Sequence, residues 1–258
     1  MTEPGESPIP WVEPHQALPA PQTAWGPASL VPGLLVASRD IGAERLLEAY
    51  RMGVFPWYAE NQPVLWWYPS PRMVLRTNEF RFHRSLRKWV AHGLASGDLS
   101  IRFDHDFEAV IQACATARRR TQSSTWIMPE LIDAYVDLHR EGYAHSVETW
   151  WQDQRIGGLY CVNVGRMVFG ESMYSTTPNA SKAALAALVA FCSLHGMGMI
   201  DCQQETEHLA LMGARPIPAG DFAAEVASRI CEPAPPWTFV PEMWQSWDHR
   251  LATKVQPG

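Results

Sequence analysis

Ten consecutive apolar residues, from Ala183 to Cys192, constrain the fold of this chain more than any other segment. Asn179 or Ser181 can cap a helix that begins before this run, and Gly196 can end it. A helix that is apolar on every side must be covered by other elements on every side. The sequence therefore predicts a helix over 179–195 that lies between layers. A run of this length is too short to span a membrane.

Segments before and after this helix have the composition of β-strands. They are rich in β-branched and aromatic residues and lie between short polar turns, and they cover 145–151, 155–164, 165–175 and 199–202. A strand, a crossover helix and a second strand form a βαβ unit, whose strands often lie side by side with ligands beyond their carboxyl ends. We therefore expect Glu171 and the group Asp201–Gln203 to share one cleft.

The first half of the chain has the pattern of helices around one short strand. Helices are predicted over 41–52, with Asp40 as the cap, and over 82–92, 107–118 and 129–141, and a strand over 64–67. Residues 1–28 hold seven of the 21 prolines and no Lys or Arg, which favours an extended, mobile leader. The predicted class is α+β. A small N-terminal α/β domain spans 29–75, a mixed-sheet domain with the crossover helix spans 76–235, and 236–258 form a tail.

Positive charge is concentrated locally in a chain whose net charge is −6. This net charge argues against indiscriminate nucleic-acid binding. One cluster nevertheless contains Arg72, Arg76, Arg81, Arg84, Arg87 and Lys88, and a second is Arg118–Arg120. Arginine binds phosphate in a bidentate manner, so the clusters indicate either a solvated basic face or a localised contact with a polyanion.

Several function classes lack their sequence signatures. The chain has no GxSxG, HExxH or P-loop motif, and His195 and His208 do not have the spacing of metal ligands, so we expect neither a metal nor a cofactor. The five cysteines form no CxxC pair, and no Lys or Arg precedes Arg39, which argues against a secretory signal. We therefore expect reduced thiols in a cytoplasmic protein with no membrane contact.

The polar residues of the predicted cleft suit the recognition of amines. Glu171 follows Gly170, and Asp201 and Gln203 lie on the same side of an extended chain. The alternatives are that Glu171 is a solvated strand end and that Asp201 caps a helix beginning near Glu205. Apolar residues nearby are either plain core or the lining of a side-chain pocket, and they are Leu159, Val168, Leu185 and Leu188.

A set of short motifs, in one order along residues 30–222, resembles the leucyl/phenylalanyl-tRNA–protein transferase family. The main ones are YRMGVFPW (50–57), WWYPSPR (66–72), STWI (124–127), AHSVETW (144–150), GGLY (157–160), GESMYS (170–175), ASK (180–182) and DCQ (201–203). Tyr68 departs from the small residue usual there, and Gln204–Glu207 form a longer, more acidic run. The resemblance implies a second domain similar to the acetyltransferase (GNAT) fold.

The resemblance also implies an activity and its partners. A member of this family moves Leu or Phe, and we expect also Met, from aminoacyl-tRNA to the N-terminal Arg or Lys of an acceptor protein, which marks that protein for degradation. We expect it to act as a monomer. The basic segment would contact tRNA phosphates through Arg76, Arg81, Arg84, Arg87 and Lys88.

Residue roles follow by position from the same resemblance. Glu171 would bind the α-amino group of the aminoacyl moiety, while Asp201 and Gln203 would position and activate the attacking amine. The 3′-terminal adenosine would be held by Trp57 and Trp126, with Tyr50 and Tyr135 nearby. The aminoacyl side chain would lie against Leu159, Val168, Leu185 and Leu188, where Val168 replaces an expected aromatic residue.

Two other functions remain open at this stage. An acetyl-CoA-dependent N-acetyltransferase of the same fold needs a Gly-rich turn before the crossover helix to bind pyrophosphate, and the sequence after Gly170 has no glycine there. A non-catalytic adaptor for tRNA or peptide would use the same surfaces without forming a product.

Overall fold

The computed structural model describes residues 9–117 and 127–246, which form two β-sheets with flanking helices. The predicted α+β class is therefore confirmed. The smaller sheet and its helix contain β1 (Trp11–Val12), β2 (Leu34–Ser38), α1 (Ala43–Arg51), β3 (Phe55–Pro56) and β4 (Val64–Trp67). Its strands lie in the order β1-β2-β4-β3. Gly42, rather than Asp40, is the N-cap of α1, because Asp40 instead accepts a hydrogen bond from the Arg45 side chain.

The larger sheet has seven strands and carries the predicted crossover. Its strands are β5 (Arg72–Arg76), β6 (Leu99–Phe103), β7 (Ala144–Trp151), β8 (Gln154–Val164), β9 (Met167–Ser175), β10 (Met199–Gln203) and β11 (Arg215–Ile217). They lie in the order β11-β5-β10-β9-β8-β7-β6. β9 and β10 are parallel, and the other neighbours in this sheet are antiparallel.

Helices cover both faces of the larger sheet. They are α2 (Arg84–Ser96), α3 (Phe107–Thr116), α4 (Pro129–Arg140), α5 (Ala180–Leu194), α6 (Glu207–Leu211) and α7 (Ala219–Arg229). Side chains of β8 alternate between two cores, as strand geometry requires. Tyr160 and Val162 join α1, α3 and α4 in one core, while Leu159 and Cys161 join α5 in the other. Among the described residues, no helix is both long and apolar enough to cross a membrane.

The predicted βαβ unit is confirmed in β9, α5 and β10. Every residue from Ala183 to Cys192 is buried, so the apolar helix does lie between layers. Asn179 is its N-cap, although its side chain makes no capping hydrogen bond. Val168 and Phe169 of β9 pair with Ile200 and Asp201 of β10 in parallel. This register brings Glu171 of β9 close to Asp201 and Gln203 of β10.

The prediction of a mobile leader over 1–28 is wrong for residues 9–28. β1 pairs with β2, and Leu18 is buried against the smaller sheet. The buried Arg45 guanidinium donates hydrogen bonds to the carbonyl oxygens of Glu13, Pro14 and Gln16. Prolines in this segment have no backbone N–H to donate, so fewer backbone donors are present for its carbonyl oxygens. Arg45 of α1 donates to three of these carbonyls. Residues 1–8 lie outside the described part.

Residues 236–246, predicted as the beginning of a tail, pack against the larger domain, and residues 247–258 lie outside the described part. Trp244 and Met243, in a 3₁₀-helix over Pro241–Ser246, are buried in the core that contains α5. Trp237 stacks on His145 at 4.0 Å between ring centroids and donates a hydrogen bond to Asn163. Aromatic side chains with a polar edge suit such a position, because they bury area and still satisfy their donor.

The predicted domain boundary at 75/76 falls inside β5. This strand pairs with β10 and β11 along its length, so residues from Arg72 onward belong to the larger sheet. The run YPSPR ends β4, as the two prolines predict, but a new strand begins at its arginine.

Candidate active site

A cavity of about 530 Å³ opens between the β3 segment, β8, β9, α5 and the residues that follow β10. Its apolar wall contains Phe55, Leu159, Met173, Leu185, Leu188 and Ile200. Its polar side contains Glu171, Ser172, Gln203, Gln204, Thr206 and His208. An apolar pocket with a few converging polar groups is the usual form of a small-ligand site.

Glu171 enters this cavity because β9 carries a β-bulge. Tyr160 lies opposite Ser172 and Cys161 opposite Gly170, so Glu171 is the extra residue on its strand. A bulge leaves the extra residue outside the regular ladder and re-aims its side chain. The interpretation of Glu171 as a solvated strand end is therefore wrong: the residue is half-buried and lines the cavity.

Both carboxylate oxygens of Glu171 are hydrogen-bonded. The Gln203 amide nitrogen donates to Oε1 at 3.1 Å, and the Tyr135 hydroxyl donates to Oε2 at 3.0 Å. Burial raises the pKa of the Glu171 carboxyl to about 7, and hydrogen bonding from the hydroxyls of Tyr50 and Tyr135 opposes this rise. The group can therefore change its charge near neutral pH and bind a cation when ionised.

Tyr50 and Tyr135 are fully buried beneath Glu171, with their hydroxyl oxygens 2.6 Å apart. Burial raises the pKa of both hydroxyls well above the usual value, so they remain protonated donors. Neither residue lines the cavity. The resemblance places them near the adenosine; in this structure the Tyr135 hydroxyl donates to Glu171 and the Tyr50 hydroxyl contacts that of Tyr135, so both support the carboxylate.

Asp201 is close to Glu171 and Gln203, as the βαβ register predicted, but its carboxylate is not open to the cavity. It is fully buried and forms a bidentate ion pair with Arg72, with Nε–Oδ1 at 2.8 Å and Nη2–Oδ2 at 2.6 Å. Thr206 is the N-cap of α6, so Asp201 does not cap that helix. Direct activation of an amine by Asp201 is incompatible with this placement.

The carboxylate of Asp201 holds the backbone of Gln203 in place. The ladder between β10 and β5 is irregular between Asp201 and Gln203, and Gln203 has a left-handed backbone, with φ of 56°. Its backbone N–H donates to Asp201 Oδ1 at 3.0 Å. A non-glycine residue adopts this conformation only where local contacts compensate for it. The side-chain oxygen of Gln203 remains as an acceptor, because its nitrogen donates to Glu171.

Three of the four residues predicted to contact the aminoacyl side chain line the cavity. Leu159, Leu185 and Leu188 line the cavity, whereas Val168 is wholly buried and does not. Met173, which pairs with Leu159 across β8 and β9, lines the cavity in its place.

The aromatic residues predicted for the adenosine are placed only in part. Trp57 lines the cavity and packs on Trp67, with ring centroids 5.7 Å apart. Trp126 lies outside the described residues, as does the cluster Arg118–Arg120.

The basic segment divides into buried and exposed cations. Arg72 is buried, and Arg76 forms an ion pair with Glu225, so neither is a free cation on the surface. Arg81, Arg84 and Lys88 are exposed, and Arg87 is half-buried. The helix α2 and the residues just before it therefore present three or four cations to solvent, and the cluster is smaller than the sequence predicted.

A group of residues that sequence reasoning missed lies away from the cavity. One ligand atom from each of Asp104, His139 and His145 comes within 4.8 Å of the others. His145 Nδ1 and Asp104 Oδ2 are 2.7 Å apart, and His139 Nδ1 is 2.7 Å from the Ala144 carbonyl. The second of these hydrogen bonds joins α4 to β7, and the first joins β7 to the residue after β6. No local sequence spacing signals the group, because Asp104 is distant along the chain.

The raised pKa of Glu171 predicts a pH dependence of stability. Between an ordinary pKa near 4.5 and about 7, the folded state binds more protons than the unfolded state, so the free energy of unfolding falls as pH rises. This stabilisation is complete below the unfolded pKa and is lost as pH rises through about 7. Urea unfolding between about pH 5 and pH 8 should show a loss of up to roughly 3 kcal/mol in the wild type that is absent in Glu171→Gln. A pH-independent difference between the two proteins would contradict the burial of this carboxyl.

The cavity therefore has the form of a small-ligand site in which a carboxylate and an amide lie beside an apolar wall. A family model described as leucyl/phenylalanyl-tRNA protein transferase matches residues 74–227, and the N-terminal domain model of the same family matches residues 39–70. The chain belongs to the leucyl/phenylalanyl-tRNA protein transferase family.

Curated relatives agree with this membership. A Polaromonas protein named leucyl/phenylalanyl-tRNA–protein transferase is 50% identical over 92% of this chain and 93% of its own length. A Cupriavidus taiwanensis protein with the same name is 52% identical over 93% of this chain and 96% of its own length. Among solved structures, FemX matches with a TM-score of 0.42 and 11% identity, over 71% of this chain and 69% of that chain.

Proposed function

We propose that this enzyme transfers Leu or Phe, and also Met, from aminoacyl-tRNA to the N-terminal Arg or Lys of acceptor proteins and so marks them for degradation. The observation that carries the proposal is the cavity in which Glu171 and Gln203 lie beside the apolar wall of Leu159, Leu185 and Leu188. Family membership favours this function over an acetyl-CoA-dependent enzyme or an adaptor. We further propose that it acts as a monomer in the cytoplasm, where its five free thiols stay reduced.

The site suits aminolysis of an ester that is already activated. The ionised Glu171 binds the α-ammonium of the aminoacyl group. The side chain of that group lies in the cavity against the apolar wall. The acceptor amine, after losing a proton to solvent, attacks the carbonyl carbon, and the bond to the ribose oxygen breaks. The proton released from the attacking nitrogen passes to that ribose oxygen. Gln203 orients the amine through its amide oxygen, and positioning of this kind lowers the barrier by roughly 7–11 kcal/mol.

We also propose an arrangement of domains. The small sheet through Trp67 forms the N-terminal domain, and the GNAT-like domain begins at β5. The proposal of a GNAT-like domain is supported by the parallel pair β9–β10, whose strands are joined by the crossover helix α5.

A single assay tests the function. Radioactive leucyl-tRNA is incubated with the protein and a peptide that begins with Arg, and the same peptide beginning with Glu is the control. We expect leucine on the Arg peptide and not on the Glu peptide. Leucine that stays on the tRNA in both mixtures would exclude the proposal.

Exposed cations of α2 should bind tRNA through its phosphates. We expect Arg84→Glu/Lys88→Glu to weaken tRNA binding and to lower the slope of log affinity against log salt by about 1 for each phosphate that is no longer bound. Filter binding over a salt series measures both quantities. Arg140→Glu on α4, also an exposed arginine, is the matched control. Unchanged affinity at low salt would place the tRNA elsewhere.

A further inference from the structure

Arg72 is buried between the segment Gly53–Trp57 and β10, both of which contribute residues to the cavity. Its side chain has no exposed surface, and it forms the bidentate ion pair with Asp201 described above. Nη2 also donates to the Gly53 carbonyl oxygen at 2.9 Å. Its guanidinium carbon lies 4.7 Å from the ring centroid of Phe55 and 4.5 Å from that of Phe222. One planar group therefore contacts the smaller sheet, α7 and β10.

Two sets of contacts of Arg72 lead to residues of the cavity. On one side, Gly53 and Phe55 belong to the segment that continues through Pro56 to Trp57, and residues 55–57 line the cavity. On the other side, Asp201 Oδ1 accepts hydrogen bonds from both Arg72 Nε and the backbone N–H of Gln203. The conformation of Gln203 therefore depends on a carboxylate that Arg72 holds in place.

Stability alone does not account for this ion pair. Replacing a buried ion pair by apolar groups of similar size is often neutral or stabilising, because both charges lose their hydration. In addition, Arg72 Nη1 finds no hydrogen-bond partner among the described residues, although it is buried. An unsatisfied buried donor is costly, and an arrangement selected only for stability would avoid it.

We propose that Arg72 is a positioning residue for aminoacyl transfer: it sets Gln203 through Asp201 and sets the Phe55–Trp57 wall through Gly53. This inference rests on the proposed function. It assigns Asp201 a role through other groups, as the acceptor that links Arg72 to the Gln203 backbone. Lysine cannot replace Arg72, because a point charge cannot make the two parallel hydrogen bonds to Asp201 and the third to Gly53.

The test compares turnover in folded proteins. Transfer of leucine to the Arg peptide is measured for Arg72→Lys and for the neutral pair Arg72→Met/Asp201→Asn, well below the unfolding midpoint that circular dichroism gives for each variant. We expect kcat to fall by about 10- to 100-fold in both, because small displacements of reacting groups have effects of this size. We expect the KM for leucyl-tRNA to rise by less than kcat falls, because Leu159, Leu185, Leu188 and the tRNA contacts remain and only the Phe55–Trp57 wall is displaced.

Arg45→Lys is the matched control. Arg45 is also buried, forms ion pairs with Asp40 and Glu48, and binds backbone carbonyls, but neither it nor these partners line the cavity. We expect this variant to lower the unfolding midpoint and to leave kcat within about twofold of the wild type. If Arg72 had only a structural role, Arg72→Lys would behave like Arg45→Lys: the unfolding midpoint would fall and kcat would stay close to that of the wild type.

The outcomes separate the two proposals. A wild type that transfers no leucine overturns the proposed function. An active wild type together with a folded Arg72→Lys that keeps kcat within about twofold overturns the positioning role. Should Arg72→Lys fail to fold, the neutral pair decides by the same criterion, because it leaves no uncompensated buried charge.

Discussion

Glu171→Gln should lower kcat/KM for leucine transfer by about 10²- to 10³-fold at pH 8. The variant keeps the size of the side chain and can still contact Gln203 and Tyr135, but it has no charge for the α-ammonium of the aminoacyl group. Loss of one partner from a buried, hydrogen-bonded charge pair costs about 2–5 kcal/mol. Each 1.36 kcal/mol corresponds to a factor of about ten in rate.

The measurement is the initial rate with limiting leucyl-tRNA and a saturating Arg peptide. Glu141→Gln, at the exposed end of the helix that carries Tyr135, is the control and should keep the wild-type rate. A rate for Glu171→Gln within about threefold of the wild type would exclude Glu171 as the binding group.

The pH dependence of this difference identifies the titrating group. The acceptor amine loses its proton with a pKa of about 8 in both proteins, so both rates rise with pH. The ratio of wild-type to variant rate isolates Glu171, whose pKa is about 7. We expect the ratio to rise about tenfold per pH unit below 7, to level off above 7, and to fall again above about pH 8, where the α-ammonium of the aminoacyl group itself loses its proton.

The sequence predicted the centre of the fold because local pattern decides it. Residues 183–192 have no polar face, so they could only lie between layers, and the βαβ rule then placed Glu171 beside Asp201. Their closeness is confirmed by the contacts of Gln203 with both residues. The bulge at Glu171 was not predictable in this way, because it depends on how β9 pairs with β8.

The role of Arg72 does not follow from its surroundings in the sequence. Five other cations follow Arg72 between residues 76 and 88, and Pro69 and Pro71 precede it. This pattern is typical of a basic, solvent-exposed segment. The partner of Arg72, Asp201, is 129 positions away. An ion pair over such a distance follows only from the pairing of β5 with β10, and the short β5 has no pattern that identifies its neighbours.

Val168 shows a finer limit of prediction from the sequence. It shares a strand face with Leu159, as expected, but it lies opposite Asn163 and beside Ile200, deeper in the sheet than the cavity. Alternation along a strand gives the face of a residue and not its depth. Met173 reaches the cavity from the same face because it lies directly opposite Leu159.

Gln203→Asn should lower kcat by about 10²-fold with little change in KM for leucyl-tRNA. Asparagine tolerates the left-handed backbone at this position, so the substitution retains the local fold. It is one methylene shorter, however, which withdraws the amide by more than about 1 Å from Glu171 and from the acceptor amine, and displacement on this scale costs about 10²-fold.

Gln152→Asn is the matched control for the backbone. Gln152 also has a left-handed conformation, with φ of 48°, but it is exposed in the turn between β7 and β8 and does not line the cavity. Steady-state transfer rates for the two variants therefore compare the same chemical change in the same conformation at two places. If Gln203→Asn kept the kcat of Gln152→Asn, the amide would have no part in orienting the amine, and the reaction would depend on Glu171 and the apolar wall alone.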